Sequence, residues 1–179
     1  MTANARLFLA VWLPDALRDA VAAQLARWQW PPGAKLQPPE RWHLTLHFIG
    51  NVPVARIEEV AAGLDVAFEP FEITLQQPKV WPGGIAVMLP NEVPAALLAL
   101  HQRLAGALEA LALPVEERAF RPHLTLARRA AGARAPADAP PLPPWRADGY
   151  RLVRSLPGGG GYQPVRLYAS PTVKVRTPG

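Results

Sequence analysis

The chain has 179 residues, half of them hydrophobic, which suffices for a packed interior and argues against a disordered polymer. It has no cysteine, so disulfides, thiolate metal sites and a cysteine nucleophile are excluded. The formal charge of +5 comes mostly from arginine, the side chain suited to forked binding of phosphate; a polyanionic partner is expected, the plain alternative being a coding bias toward arginine, alanine and proline.

In chain order, the apolar stretch Leu7–Leu13 is short and runs into Pro14-Asp15, so it reads as a strand over Arg6–Leu13 and not as a signal peptide. Asp15 is placed to cap a helix whose apolar positions Leu17, Val21, Leu25 and Trp28 recur at helical spacing. A proline-rich loop from Pro31 to Pro39 leads to a strand, His43-Leu44-Thr45-Leu46. Ile57, Val60, Ala61 and Leu64 then mark a second helix and Phe71–Leu75 a further strand. Gly84–Leu89 reads as a strand, Pro90-Asn91 as a capped helix start, and Leu97, Leu100, Leu104, Leu108 and Leu111 as the apolar stripe of that helix. A second copy of the strand follows at His123-Leu124-Thr125-Leu126. The prolines of Ala130–Pro144 forbid a long helix and imply an exposed loop. Final strands around Tyr150–Leu156 and Pro164–Ala169 flank Pro157 and the glycine run Gly158–Gly161, which suits a hairpin and lacks the Lys-Ser/Thr of a phosphate-cradling loop. No run approaches a membrane span, and a soluble, cytoplasmic monomer is expected.

The repeated His-Leu-Thr-Leu uses half of the four histidines. In a strand, side chains alternate faces, so each copy presents one imidazole and one hydroxyl on the same side. The repeat is wider than the motif: Ala10-Val11-Trp12-Leu13-Pro14 parallels Ala86-Val87-Met88-Leu89-Pro90. Two equivalent strands of two repeats should meet at an approximate two-fold axis, bringing both imidazoles and both hydroxyls to one cleft. A neutral imidazole there takes a proton while a charged one gives a proton, and the hydroxyls donate to an oxyanion. By the same parity His47 faces the cleft mouth and Phe48 the core; His101, on a helix, is read as structural or exposed. His43, His47 and His123 lack a carboxylate or cysteine to complete a metal set, so no metal and no cofactor is expected.

The paired motifs and their flanks, Arg6-Leu7-Phe8-Leu9-Ala10, Trp42–Gly50, Phe120–Arg128, Leu152–Ser155, Tyr162 and Leu167-Tyr168, resemble the two-histidine phosphoesterases, and within them the RNA 2′,3′-cyclic phosphodiesterases, also called 2′-5′ RNA ligases. That resemblance implies an α+β fold: bilobal and internally duplicated, two antiparallel sheets facing a central cleft with helices outside, as one domain over 1–179. It implies acid–base roles for His43 and His123, phosphate contacts from Thr45 and Thr125, and RNA ends or nucleotides bearing a 2′,3′-cyclic phosphate as partners. Arg128 is the best added phosphate contact, against a solvated strand-end charge, and Phe120 a stacking surface for a base, against a core position. The alternatives are a phosphodiesterase for another small cyclic phosphate or an ADP-ribose derivative, and an RNA-binding module without turnover. The Ala130–Pro144 stretch departs from the family pattern and bears on the cleft rim.

Overall fold

A computed structural model describes residues 3–170 of the chain. The first strand, β1 (Asn4–Trp12), is buried almost continuously from Leu7 to Val11, as befits a strand covered on both faces. It pairs antiparallel with β3 (His43–Pro53) on one side and with β9 (Gly149–Ser155) on the other, and β10 (Tyr162–Ala169) closes that wing on β9. The second wing places β6 (Ile85–Pro90) between β5 (Leu75–Trp81) and β7 (Leu124–Arg128), with the short β2 (Lys35–Leu36) on the edge of β7 opposite β6. The wings are joined by one residue pair, Leu44↔Leu124, between the two strands that carry the repeated motif. The duplication is visible in this layout: β1 beside β3 in one wing corresponds to β6 beside β7 in the other. A separate two-stranded sheet pairs β4 (Phe71–Ile73) with β8 (Trp145–Ala147).

Three helices cover the outer faces. In α1 (Arg18–Leu25) the buried Val21 and Leu25 face the sheet; in α2 (Ile57–Gly63) Val60 and Ala61 do so. The longest, α3 (Ala95–Ala110), buries Leu97, Leu100, Leu104 and Leu108, the stripe expected from the sequence. These residues, with Leu44, Leu124 and the buried strand positions, form one apolar cluster spanning both wings.

Four local expectations are corrected. Asp15 does not cap: the chain enters a 3-10 turn at Pro14, and Asp15 instead pairs with Arg18 at 2.8 Å. Likewise α3 begins after Pro94, and the Asn91 side chain accepts a hydrogen bond from Gln77 at 2.9 Å. Phe71–Leu75 splits, Ile73 ending a strand paired with β8 and Leu75 starting one paired with β6, because the backbone changes partner between them. The proline-rich loop before the first motif holds a two-residue strand, since Lys35 and Leu36 find the open edge of β7.

Glycine is required at two places near the motif strands. Gly50, at φ +84°, sits beside the bulge that shifts β3 against β1. Gly84 turns the β5–β6 hairpin at φ +75°, where a Cβ would come within 2.8 Å of the Ala131 backbone nitrogen.

Candidate active site

The two wings enclose a cleft of about 1120 Å³. Its lining brings together all six residues singled out in the sequence: His43, Thr45, Phe120, His123, Thr125 and Arg128. Each motif histidine is half-buried and held in the same way. His43 Nδ1–H donates to the Arg41 carbonyl at 2.6 Å, and His123 Nδ1–H donates to the Arg121 carbonyl at 2.7 Å. With the proton committed at Nδ1, the neutral ring presents Nε2 as the free base. His43 Nε2 accepts from the Thr45 hydroxyl at 3.2 Å, and Thr125 occupies the corresponding position in the other copy.

The rings beside each histidine differ. His43 stacks on Trp12 at 4.8 Å and contacts Phe8 at 5.3 Å and Tyr162 at 5.5 Å. His123 meets a single indole, Trp81, edge-on at 4.5 Å. Burial lowers both pKa values below 6.5, and that of His43 falls to about 4, with the Arg41 carbonyl pulling upward and the charge of His123 downward. For His123 the opposing effects are the Arg121 carbonyl, which raises it, and the Arg128 guanidinium, which lowers it. Arg6, Arg41, Arg118, Arg121 and Arg128 line the cleft against one carboxylate, Glu116, so the space selects for an anion.

Several lining residues were missed from sequence. Arg41 and Arg121 stand two residues before each histidine, so the repeat is Arg-x-His-Leu-Thr-Leu, a longer signal than the tetrapeptide. Besides offering their carbonyls, their guanidinium groups lie over Tyr162 at 5.6 Å and Trp81 at 5.9 Å, the rings that flank the two imidazoles. Arg41 is also held by the Gly159 carbonyl at 3.0 Å, which gives the glycine-run hairpin a positioning role.

His47 and Phe48 are the reverse of their expected orientations. The register of β1 on β3 pairs Leu9 with His47 and Ala10 with Thr45, leaving Leu46 as an extra residue. This bulge inverts the alternation beyond Leu46, so His47 is 1% exposed in the core and Phe48 is 50% exposed on the cleft. His47 Nε2–H donates to the His101 carbonyl at 2.9 Å, and its ring stacks on that of His101 at 4.0 Å. His101 in turn stacks on Phe120 at 3.9 Å, so a ladder of three rings backs this part of the cleft wall. Phe120 is thus packed against the core and also borders the cleft. Among the described residues no group of three or more His, Asp or Glu is arranged to hold a metal ion, and no helix is long and apolar enough to cross a membrane.

Residues 14–154 match the family model described as the 2′-5′ RNA ligase superfamily. A Thermus thermophilus protein named RNA 2′,3′-cyclic phosphodiesterase is 33% identical over 84% of this chain and 81% of its own length. One of the same name from Methanocaldococcus jannaschii is 28% identical over 69% of this chain and 70% of its own. The fold matches the crystal structure of Escherichia coli LigT with a TM-score of 0.79 at 23% identity, covering 93% of this chain and 98% of LigT. A Thermus thermophilus protein of known crystal structure superposes with a TM-score of 0.74 at 29% identity over 92% of this chain and 97% of that one.

Proposed function

Because the chain belongs to the 2′-5′ RNA ligase superfamily, we propose that it opens terminal 2′,3′-cyclic phosphates on RNA or nucleotides to 2′-phosphates by acid–base catalysis between His43 and His123. The observation that carries this reading is the matched tethering of the two imidazoles: each donates an Nδ1–H hydrogen bond to the carbonyl two residues earlier, which leaves two Nε2 atoms for proton transfer in one arginine-lined cleft. In the proposed step His123 Nε2 takes a proton from water as the oxygen attacks phosphorus. The P–O3′ bond breaks, O3′ takes the proton of a charged His43, and a 3′-hydroxyl and 2′-phosphate remain. Thr45 and Thr125 donate to the non-bridging oxygens as charge builds on them, and Arg128 holds the anion by forked hydrogen bonds.

At rest both imidazoles favour the neutral form. A bound phosphate supplies the negative charge that raises the pKa of the acid, so the charged form of His43 is called up by substrate. The same groups run backwards would join a 5′-hydroxyl to the cyclic end through a 2′-5′ bond; water, as solvent, favours hydrolysis. We take residues 1–179 as a single two-lobed domain acting as a monomer.

The direct test is turnover of a 2′,3′-cyclic mononucleotide in excess EDTA with identification of the product. Undiminished release of the 2′-phosphate is expected, since the cleft offers an acid, a base and hydroxyl donors. Loss of activity on chelation with recovery on added Zn²⁺ or Mn²⁺, or a 3′-phosphate product, would remove the mechanism.

A further inference from the structure

Behind the wall that carries His43 lies a second concavity of about 660 Å³. It is continuous with the first in a specific sense: Arg41 and Tyr162 line both. Arg18, Arg146 and Arg151 also line it, together with the carboxylates of Asp15, Glu40 and Asp148, the Trp12 ring and the glycines at the tip of the β9–β10 hairpin. Asp15 is engaged by Arg18 at 2.8 Å, whereas Arg146 and Arg151 have no carboxylate within ion-pair distance among the described residues. Arg151 instead lies over the Trp12 ring at 5.5 Å, as Arg41 lies over Tyr162 at 5.6 Å. Guanidinium groups interleaved with aromatic faces along a trough are the recognition chemistry of a single-stranded nucleic acid: phosphates pair with arginine, and bases or riboses rest on the rings whatever their sequence.

We propose that this trough binds the phosphodiester backbone of an RNA strand immediately upstream of the reacting end, the strand crossing the Arg41–Tyr162 wall. This rests on the cyclic-phosphate reading of the cleft. The trough therefore makes the protein an enzyme of RNA ends in preference to free cyclic nucleotides, and one indifferent to base sequence.

The test compares a 2′,3′-cyclic mononucleotide with a pentanucleotide bearing the same cyclic end, for the unmodified protein and for Arg146→Gln, Arg151→Gln and the double variant. The pentanucleotide is expected to have the higher kcat/KM, and the double variant to lose roughly 3- to 10-fold of it, mostly through KM, with mononucleotide turnover unchanged. The dependence of log KM on log salt for the pentanucleotide should flatten by about 0.7 for each arginine removed. Unchanged mononucleotide turnover also shows that the variants fold and that the cleft chemistry stands on its own. Equal kcat/KM for the two substrates, pentanucleotide kinetics indifferent to both substitutions, or an equal loss on the mononucleotide would each overturn the trough as a backbone site.

Discussion

Each motif imidazole is tied through Nδ1 to a backbone carbonyl, so its orientation is set by strand geometry rather than by another side chain. A carbonyl accepts but cannot be ionised, which leaves proton transfer wholly to Nε2. His43→Ala and His123→Ala should each lower kcat by about 10²–10⁴, and the double variant should fall well short of the product of the two losses, because donor and acceptor act as a unit. A substrate with sulfur at the 3′-bridging position, whose thiolate departs without a proton, separates the roles: it should rescue His43→Ala and leave His123→Ala inactive. Rescue of the opposite variant would exchange the assignments. The pH profile follows from the lowered pKa values. With His43 at about 4 and His123 also below 6.5 in the free protein, kcat/KM should trace a bell centred on the acid side of pH 6.5. The kcat profile should lie higher in pH, since bound phosphate favours the charged ring. Rates measured from about pH 4 to 8 check both, and a kcat/KM optimum above about pH 7 would contradict the low free-protein values.

At the level of elements, what the sequence disclosed was what depends on local periodicity. His43 and Thr45 are two residues apart within one uninterrupted stretch of strand, so parity alone put them on one face, and the leucine spacing of α3 identified its buried side. Parity failed from His47 onward because a bulge is a relation between two strands, and neither strand carries a mark of it beyond Gly50 at the neighbouring irregularity. The helix starts at Asp15 and Asn91 failed because each polar side chain is taken up by another side chain, Arg18 for Asp15 and Gln77 for Asn91, and not by a helix amide. Tyr150 is a long-range tie absent from any local pattern. It is fully buried on β9; its hydroxyl donates to the Leu64 carbonyl at 2.7 Å and accepts from the Val66 amide at 3.0 Å, fastening the end of α2 to the sheet. Burial pushes this phenol up to about 12, so it stays protonated. Tyr150→Phe leaves both backbone groups without their partner and should cost about 1–3 kcal/mol, measured by urea unfolding, with kcat unchanged.

Over the whole molecule, the four histidines share one electrostatic property: burial lowers the pKa of each, that of His101 to about 4. A group with a depressed folded pKa favours the folded state fully above its unfolded value of about 6.5 and loses that contribution as pH falls toward the folded value, because the unfolded chain binds the extra proton. The melting temperature should therefore drop between pH 6.5 and about 4. His101→Phe preserves a ring between His47 and Phe120 and leaves intact the carbonyl that His47 uses, so its Tm should fall less steeply over that window. Parallel Tm curves for the two proteins would assign the acid sensitivity to other groups.

The pairing of β1 with β9 has a consequence for biosynthesis. β1 precedes β9 by most of the described residues, so the wing bearing His43 is incomplete while the polypeptide is still emerging. Until residues 149–169 are available, β1 presents an unpaired edge of apolar sequence, a template for intermolecular association. The other wing, whose strands β5 to β7 lie between residues 75 and 128, meets its partners earlier. A message truncated before β9 and β10 would then yield a nascent product that carries both motif histidines and aggregates before the first of them can be set in place.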